Sequence, residues 1–129
     1  MMTRGNKFGA RKVKAPNGEV FDSQKEFQRY GVLRLLERAG KISGLKRQVT
    51  FELIPTQREE STEVYKAGPN KGQPKPGAVI EQACSYVADF TYYQDGKYIV
   101  EDAKGCKTEA YKIKKKLMMW VHGIKIKET

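Results

Sequence analysis

The chain has 129 residues, 39% of them hydrophobic and 31% charged, which fits a single domain with a two- or three-layer core and excludes a disordered polymer or a collagen-like one. No apolar run approaches the roughly 20 residues needed to span a bilayer. The opening MMTRGNKFGARKVK lacks the apolar stretch of a secretion signal, so the cytoplasm is the expected location and no membrane partner is expected. Lys and Arg number 25 against 15 Asp and Glu, a net charge of +10, and such a field attracts a polyanion, most simply nucleic acid. The excess is concentrated in Arg4, Lys7, Arg11, Lys12 and Lys14 at one end and in Lys112, Lys114, Lys115 and Lys116 near the other. One His, with Cys84 and Cys106 at no metal-ligand spacing, speaks against zinc.

In chain order, residues 1–18 read as a basic flexible arm closed by the turn Pro16-Asn17-Gly18, and residues 19–129 as the folded domain. A short extended piece, Glu19 to Phe21, follows the turn. Ser23 with Glu26 three residues on is a capping-box pattern, so a helix is expected from there to Ala39, with Gly40 as the stop. Its apolar residues fall on two sides, Val32, Leu35, Leu36 and Ala39 on one and Tyr30 and Leu33 on the other, which predicts a helix packed between neighbours. Val49, Phe51 and Leu53 alternate with Thr50, Glu52 and Ile54 in a strand ended by Pro55. Residues 66–80, rich in Gly, Pro and Lys, read as a flexible basic loop. Two β-prone runs, Gln82 to Tyr93 and Lys97 to Ala103, flank Asp95-Gly96, a strong hairpin signal. Thr108 caps a second helix to His122 with Ala110, Ile113, Leu117, Trp120 and Val121 as its core face. Gly123 ends it, and Ile124 to Lys127 forms a last strand. The order predicts an α/β fold, a mixed sheet flanked by helices.

The hairpin places chemistry. With Asp95 and Gly96 as the loop, Gln94 opposes Lys97, and counting outward sets Asp89 opposite Asp102. Facing carboxylates destabilise a sheet unless something compensates, and a divalent cation does so: magnesium needs only one or two carboxylates beside water and phosphate. Alternation returns Lys104 to the face of Asp102. Asp, Asp and Lys together suit metal-assisted hydrolysis. A three-residue loop would instead bring Glu101 opposite Asp89 and make it the ligand candidate.

The segments Val87-Ala88-Asp89-Phe90 and Val100-Glu101-Asp102-Ala103-Lys104-Gly105 resemble the signature of the PD-(D/E)XK nuclease superfamily, with Ala88 where the family's least constant position has Pro. The element order over residues 19–127 is similar to that family's restriction-endonuclease-like core, α-β-β-β-α-β. The basic Asn6 to Arg11 segment resembles small phage-encoded members, related in pattern to Holliday-junction resolvases and transposase nuclease subunits. The resemblance implies a DNA endonuclease dependent on Mg2+ or Mn2+, with branched DNA among its substrates, a homodimer, and a host cytoplasm as its location. Asp89, Asp102, Glu26 and the Ala103 carbonyl would hold the metal, Lys104 would act on the attacking water, and Gln48 matches a glutamine common in the resolvase-like groups. Glu26 has a second reading as a plain capping residue. Arg11, Lys12, Lys112, Lys115 and Lys116 are the expected DNA contacts. The alternatives are a non-catalytic nucleic-acid-binding protein and a phage–host interaction protein, the latter marked by a large exposed apolar patch.

Overall fold

Pro16-Asn17-Gly18 turns the chain because the Asn17 side chain accepts the Glu19 amide at 3.0 Å, a local bond that pre-forms the bend. In the computed structural model, which describes residues 12–103 and 107–129, β1 (Val13–Lys14) pairs with β2 (Val20–Phe21) across this turn. A strand pair of the described fold thus lies inside the segment read as a flexible arm. Phe21 is fully buried and sits 5.2 Å, centroid to centroid, from both Phe27 and Tyr30, so the hairpin is pinned to the first helix by aromatic packing.

That helix, α1 (Gln24–Arg38), starts where the Ser23 hydroxyl accepts the Glu26 amide at 3.1 Å and stops before Gly40 at φ +74°. Only the stripe through Leu33, with Tyr30 and Leu36 partly covered, meets the sheet. Val32 and Leu35 are exposed, so α1 is a one-sided surface helix and not the sandwiched one that its apolar content predicts. The strand β3 (Ser43–Ile54) begins six positions ahead of Val49, its polar first half held by pairing with a neighbour that the sequence pattern does not reveal. Residues 66–80 are also more regular than expected. β4 (Gln57–Arg58) pairs with β5 (Val79–Glu81), and Val64 bridges Pro74, making a folded-back excursion with backbone hydrogen bonds along it. A Cβ at Gly77 would lie 1.9 Å from the Glu59 carbonyl oxygen, so only glycine permits this close approach.

β6 (Cys84–Gln94) and β7 (Lys97–Asp102) form the expected hairpin. Asp95 and Gly96 both have positive φ, +52° and +75°, the twist-matched two-residue turn, and the ladder runs from Gln94↔Lys97 to Phe90↔Glu101. The second helix, α2 (Glu109–His122), is capped by Thr108 and ended by Gly123. β8 (Lys127–Glu128) then returns parallel to β7. The protein is therefore mixed α/β, with a mixed four-stranded sheet in the order β3-β6-β7-β8 and two helices among the described residues. One core, containing Tyr111 and Met118 of α2 with Leu53, Tyr86, Ala88 and Val100, lies on one side of the sheet. The other, containing Leu33 of α1 with Phe90 and Tyr92, lies on the opposite side.

The face that α2 buries differs from the predicted one. Tyr111 and Met118 point inward, while Ile113, Trp120 and Val121 are 57%, 87% and 46% exposed. Polar ties set this rotation: Tyr111 and Lys115 both donate to Glu128, at 2.9 and 2.8 Å, and the His122 ring bonds the Glu52 carbonyl at 2.7 Å. Among the described residues no helix is long and apolar enough to cross a membrane.

α1 is fastened to the sheet by a buried ion pair. Arg29 donates to both oxygens of Glu101 at 2.7 and 2.8 Å, and the Tyr92 hydroxyl adds a third bond at 2.7 Å. Burial pushes the Glu101 carboxyl up, but Arg29 and Tyr92 together outweigh it and hold it below its usual range. Removing one partner leaves an uncompensated buried charge, so Arg29→Met should cost about 3–5 kcal/mol in urea denaturation, and Arg29→Met combined with Glu101→Leu should recover much of that. Because the folded Glu101 pKa is depressed, its contribution is full above the ordinary glutamate value and fades as pH falls through the folded one. The stability gap between wild type and Glu101→Gln should therefore narrow on acidification below about pH 4.3; a gap independent of pH would contradict the assignment.

Candidate active site

The row of residues across the middle of the sheet is where side chains stop alternating regularly. In β6, Tyr86 and Ala88 belong to the α2-side core, whereas Phe90 and Tyr92 belong to the α1-side core. Residues two apart should share a face, so the strand slips by one at Asp89. β3 slips at the matching place: Leu45 packs on the α1 side, Phe51 and Leu53 on the other. Between them Gln48 lies at φ +52°, a left-handed conformation that costs a non-glycine residue about 1–2 kcal/mol. Flanked by the pairs Arg47↔Phe90 and Val49↔Ala88, Gln48 is directly across from Asp89.

Four of the expected residues converge on this row. The Asp89 carboxylate accepts the Ala103 amide at 2.9 Å, reaching past the last ladder pair of the hairpin. Asp102 is fully buried and accepts the Tyr86 hydroxyl at 2.5 Å. Glu26, 2% exposed, comes from the first turn of α1 and does two things at once. One carboxylate oxygen accepts the Asp22 amide at 3.2 Å, and the other accepts the Gln48 side-chain amide at 3.1 Å, with an Arg47 guanidinium nitrogen 3.6 Å away. Burial first, and the charge of Asp89 second, push the Glu26 carboxyl above its usual range. The carboxylate thus reaches back to the Asp22 amide, one residue beyond the Ser23 amide of the expected capping box, while also meeting Gln48 of β3. Gln48 is exposed while the Glu26 it touches is buried, so the cluster opens to solvent on the β3 side.

The two-residue hairpin settles the register. Glu101 is opposite Phe90 and spent on Arg29, so it does not replace Asp102. Tyr86 and Tyr111 are the members that the motif reading misses. Burial raises both hydroxyls first, hydrogen bonds to Asp102 and Glu128 respectively add to it, and both also feel the charges of Asp89 and Asp102. They therefore stay protonated as donors. No local signal marks them, since each donates to an acid on another element, Tyr86 to Asp102 of β7 and Tyr111 to Glu128 of β8.

Lys104 and Arg11 lie outside the described residues. Ala103 is buried with its amide on Asp89. Of the expected nucleic-acid contacts, Lys12 and Lys116 are exposed, and Lys112 is exposed beside Glu109 at 3.1 Å. Lys115 is turned inward onto Glu128, a sheet-edge tie that removes it from the basic flank; the Lys115 bond first, and that of Tyr111 next, hold the Glu128 carboxyl at about 2. Among the described residues no group of three or more His, Cys, Asp or Glu side chains is placed to hold a metal ion. On the α1 side an open cleft of about 350 Å³, lined by Glu19, Tyr30, Arg34, Glu37, Leu45 and Arg47, adjoins the cluster. Tyr86→Phe removes a charge-assisted bond to a buried carboxylate and should cost about 1.5–3 kcal/mol of stability by chemical denaturation; a loss near zero would mean that Tyr86 does not hold Asp102.

A family model described as "Protein of unknown function (DUF1064)" matches residues 5–127, and the chain belongs to that family. No curated protein and no solved structure matches it.

Proposed function

We propose that this member of the family hydrolyses DNA phosphodiester bonds with a divalent cation, Mg2+ or Mn2+, on a restriction-endonuclease-like core. The observation that carries the reading is a chain of contacts linking β3, α1, β6 and β7: Gln48 bonds Glu26, Glu26 feels the charge of Asp89, and Asp89 and Asp102 both act on Tyr86. The element order supports the fold: α1, β3, β6, β7, α2 and β8 follow the expected α-β-β-β-α-β succession, with the small β1–β2 and β4–β5 pairs added outside it.

The donor set fits a hard cation. All its candidate ligands are carboxylate oxygens, with the Ala103 carbonyl as the expected further one, and magnesium is held by one or two carboxylates completed by water and phosphate. The excess negative charge has a physical sign, because Asp89 raises the Glu26 carboxyl, and a cation would relieve that repulsion. Asp89 and Asp102 would hold it, with Glu26 as the third acid. Bound there, it would supply positive charge to the scissile phosphate as negative charge builds up in the transition state.

The chain's own residues have separate tasks. Tyr86 and the Ala103 amide fix the two aspartates, and Gln48 orients Glu26. Lys104, two residues after Asp102, is assigned from the sequence to the attacking water, stabilising it as it loses its proton. One P–O bond forms to water and one ester P–O bond breaks, leaving a phosphate monoester and a hydroxyl. Lys12, Lys112 and Lys116, all exposed, would meet the polyanion, and cleavage should weaken steeply with salt because such contacts release counterions.

The test is a cleavage panel of supercoiled plasmid, linear duplex, single strand and four-way junction, run with Mg2+, Mn2+ or EDTA. Wild type should cut at least one substrate with metal only, and Asp102→Ala and Lys104→Ala should each lose about 100-fold or more, the size of a missing electrostatic or proton-transfer group. Calorimetric Mn2+ titration should show a site lost in Asp89→Asn. Metal-independent DNA binding without cutting of any substrate would leave a binding protein instead.

A further inference from the structure

The outer face of α2 presents apolar side chains that the fold does not use: Ile113 and Trp120 stand at i and i+7, two turns apart on one helix face, Val121 extends the stripe, and Leu117 between them is half-buried against the core. Trp120 is 87% exposed and Ile113 57%. The polar ties of α2 to Glu128 and Glu52 lie on its other side, so no rotation of α2 could bury this stripe without breaking them. A tryptophan held out in this way costs solvation that a partner would recover. The edge of the stripe is basic: Lys112 and Lys116 are exposed beside Ile113 and Trp120, and Glu109 is the only acid in a helix with four lysines.

We propose that this face is a docking site for an acidic amphipathic helix of a partner protein. Charge complementarity selects that occupant. A second copy of the chain would bring more lysine than acid to that edge, because its Glu109 is already bonded to Lys112. The first eleven residues of the chain carry Arg4, Lys7 and Arg11 and no acid, so they do not complement the face either. A nucleic acid would engage the lysines and stack on Trp120, but it has nothing apolar to offer Ile113 and Val121. The site faces away from the sheet; Lys112 and Lys116 are also the lysines that the nuclease reading gives to DNA, so the partner helix and DNA would compete there.

Trp120 is the chain's only tryptophan, which makes its emission a direct reporter. The probe is a synthetic helical peptide with leucines at heptad a and d positions and glutamates at e and g. The controls are the same peptide with lysines at e and g, oligodeoxythymidine, and phosphatidylglycerol vesicles. A saturable blue shift with the glutamate peptide is expected, weakened about tenfold or more in Ile113→Ser, in Lys112→Glu combined with Lys116→Glu, and with the lysine peptide. These positions are exposed, so circular dichroism should show the variants folded. The proposal is overturned by absence of a shift with the glutamate peptide, or by an equal response to the lysine peptide. It is overturned equally by tighter binding of the oligonucleotide or the vesicles, or by a blue shift that follows protein concentration alone, the mark of a second copy.

Discussion

Two adjacent buried carboxylates, Glu101 and Asp102, are the constraint from which the rest of the structure follows. Strand alternation sends neighbours to opposite faces, so neither can share the other's partner, and each face must supply its own. The α1 side answers with a full charge, Arg29, seated bidentately. The α2 side answers with a hydroxyl, Tyr86.

The slip at Asp89 and Gln48 extends the same logic. A regular β6 would bury Tyr86, Ala88, Phe90 and Tyr92 in one core, leaving the other helix with little to cover. Slipping by one residue divides these four between the two cores, so both helices acquire an aromatic bed. The residues at the slip, Asp89 and Gln48, belong cleanly to neither core. They are held by polar bonds to Ala103 and Glu26 instead. The left-handed backbone at Gln48 is the local cost, and it aims the amide at the Glu26 carboxylate across from α1. Strain of this kind persists only where surrounding structure over-determines it, and here two strands and a helix do so.

Legibility from sequence follows the range of the interaction. Both helices, the Asp95-Gly96 turn, the hairpin register and the end of β3 at Pro55 are local effects of caps, glycine and proline, and all were readable. The first half of β3 was not, because Gly44, Lys46, Arg47 and Gln48 form a strand only through the ladder that β6 provides. The excursion over residues 66–80 was not, because its order rests on the close approach of Gly77 to Glu59. Of the candidate site, Asp89 stood out as an acid in an apolar run and Asp102 through the hairpin register, whereas Glu26 came only from the family resemblance. Arg29 was missed although the reasoning was at hand: once Asp102 faces one way, Glu101 must face the other and needs a cation there.

The inverted reading of α2 shows why periodicity alone misleads. The stripe Ile113, Leu117, Trp120, Val121 is the more apolar side of the helix, and burying it would recover the most transfer free energy. The fold instead buries Tyr111 and Met118 and turns Lys115 inward. What wins is the set of directional bonds that Glu128 makes. Glu128 follows Lys127, which pairs with Glu101, and itself pairs with Asp102, so it is the sheet's last acid beside the candidate site. The acid row therefore fixes α2 in rotation as well as in position, and the exposed tryptophan on its outer face is a consequence of the chemistry on its inner one.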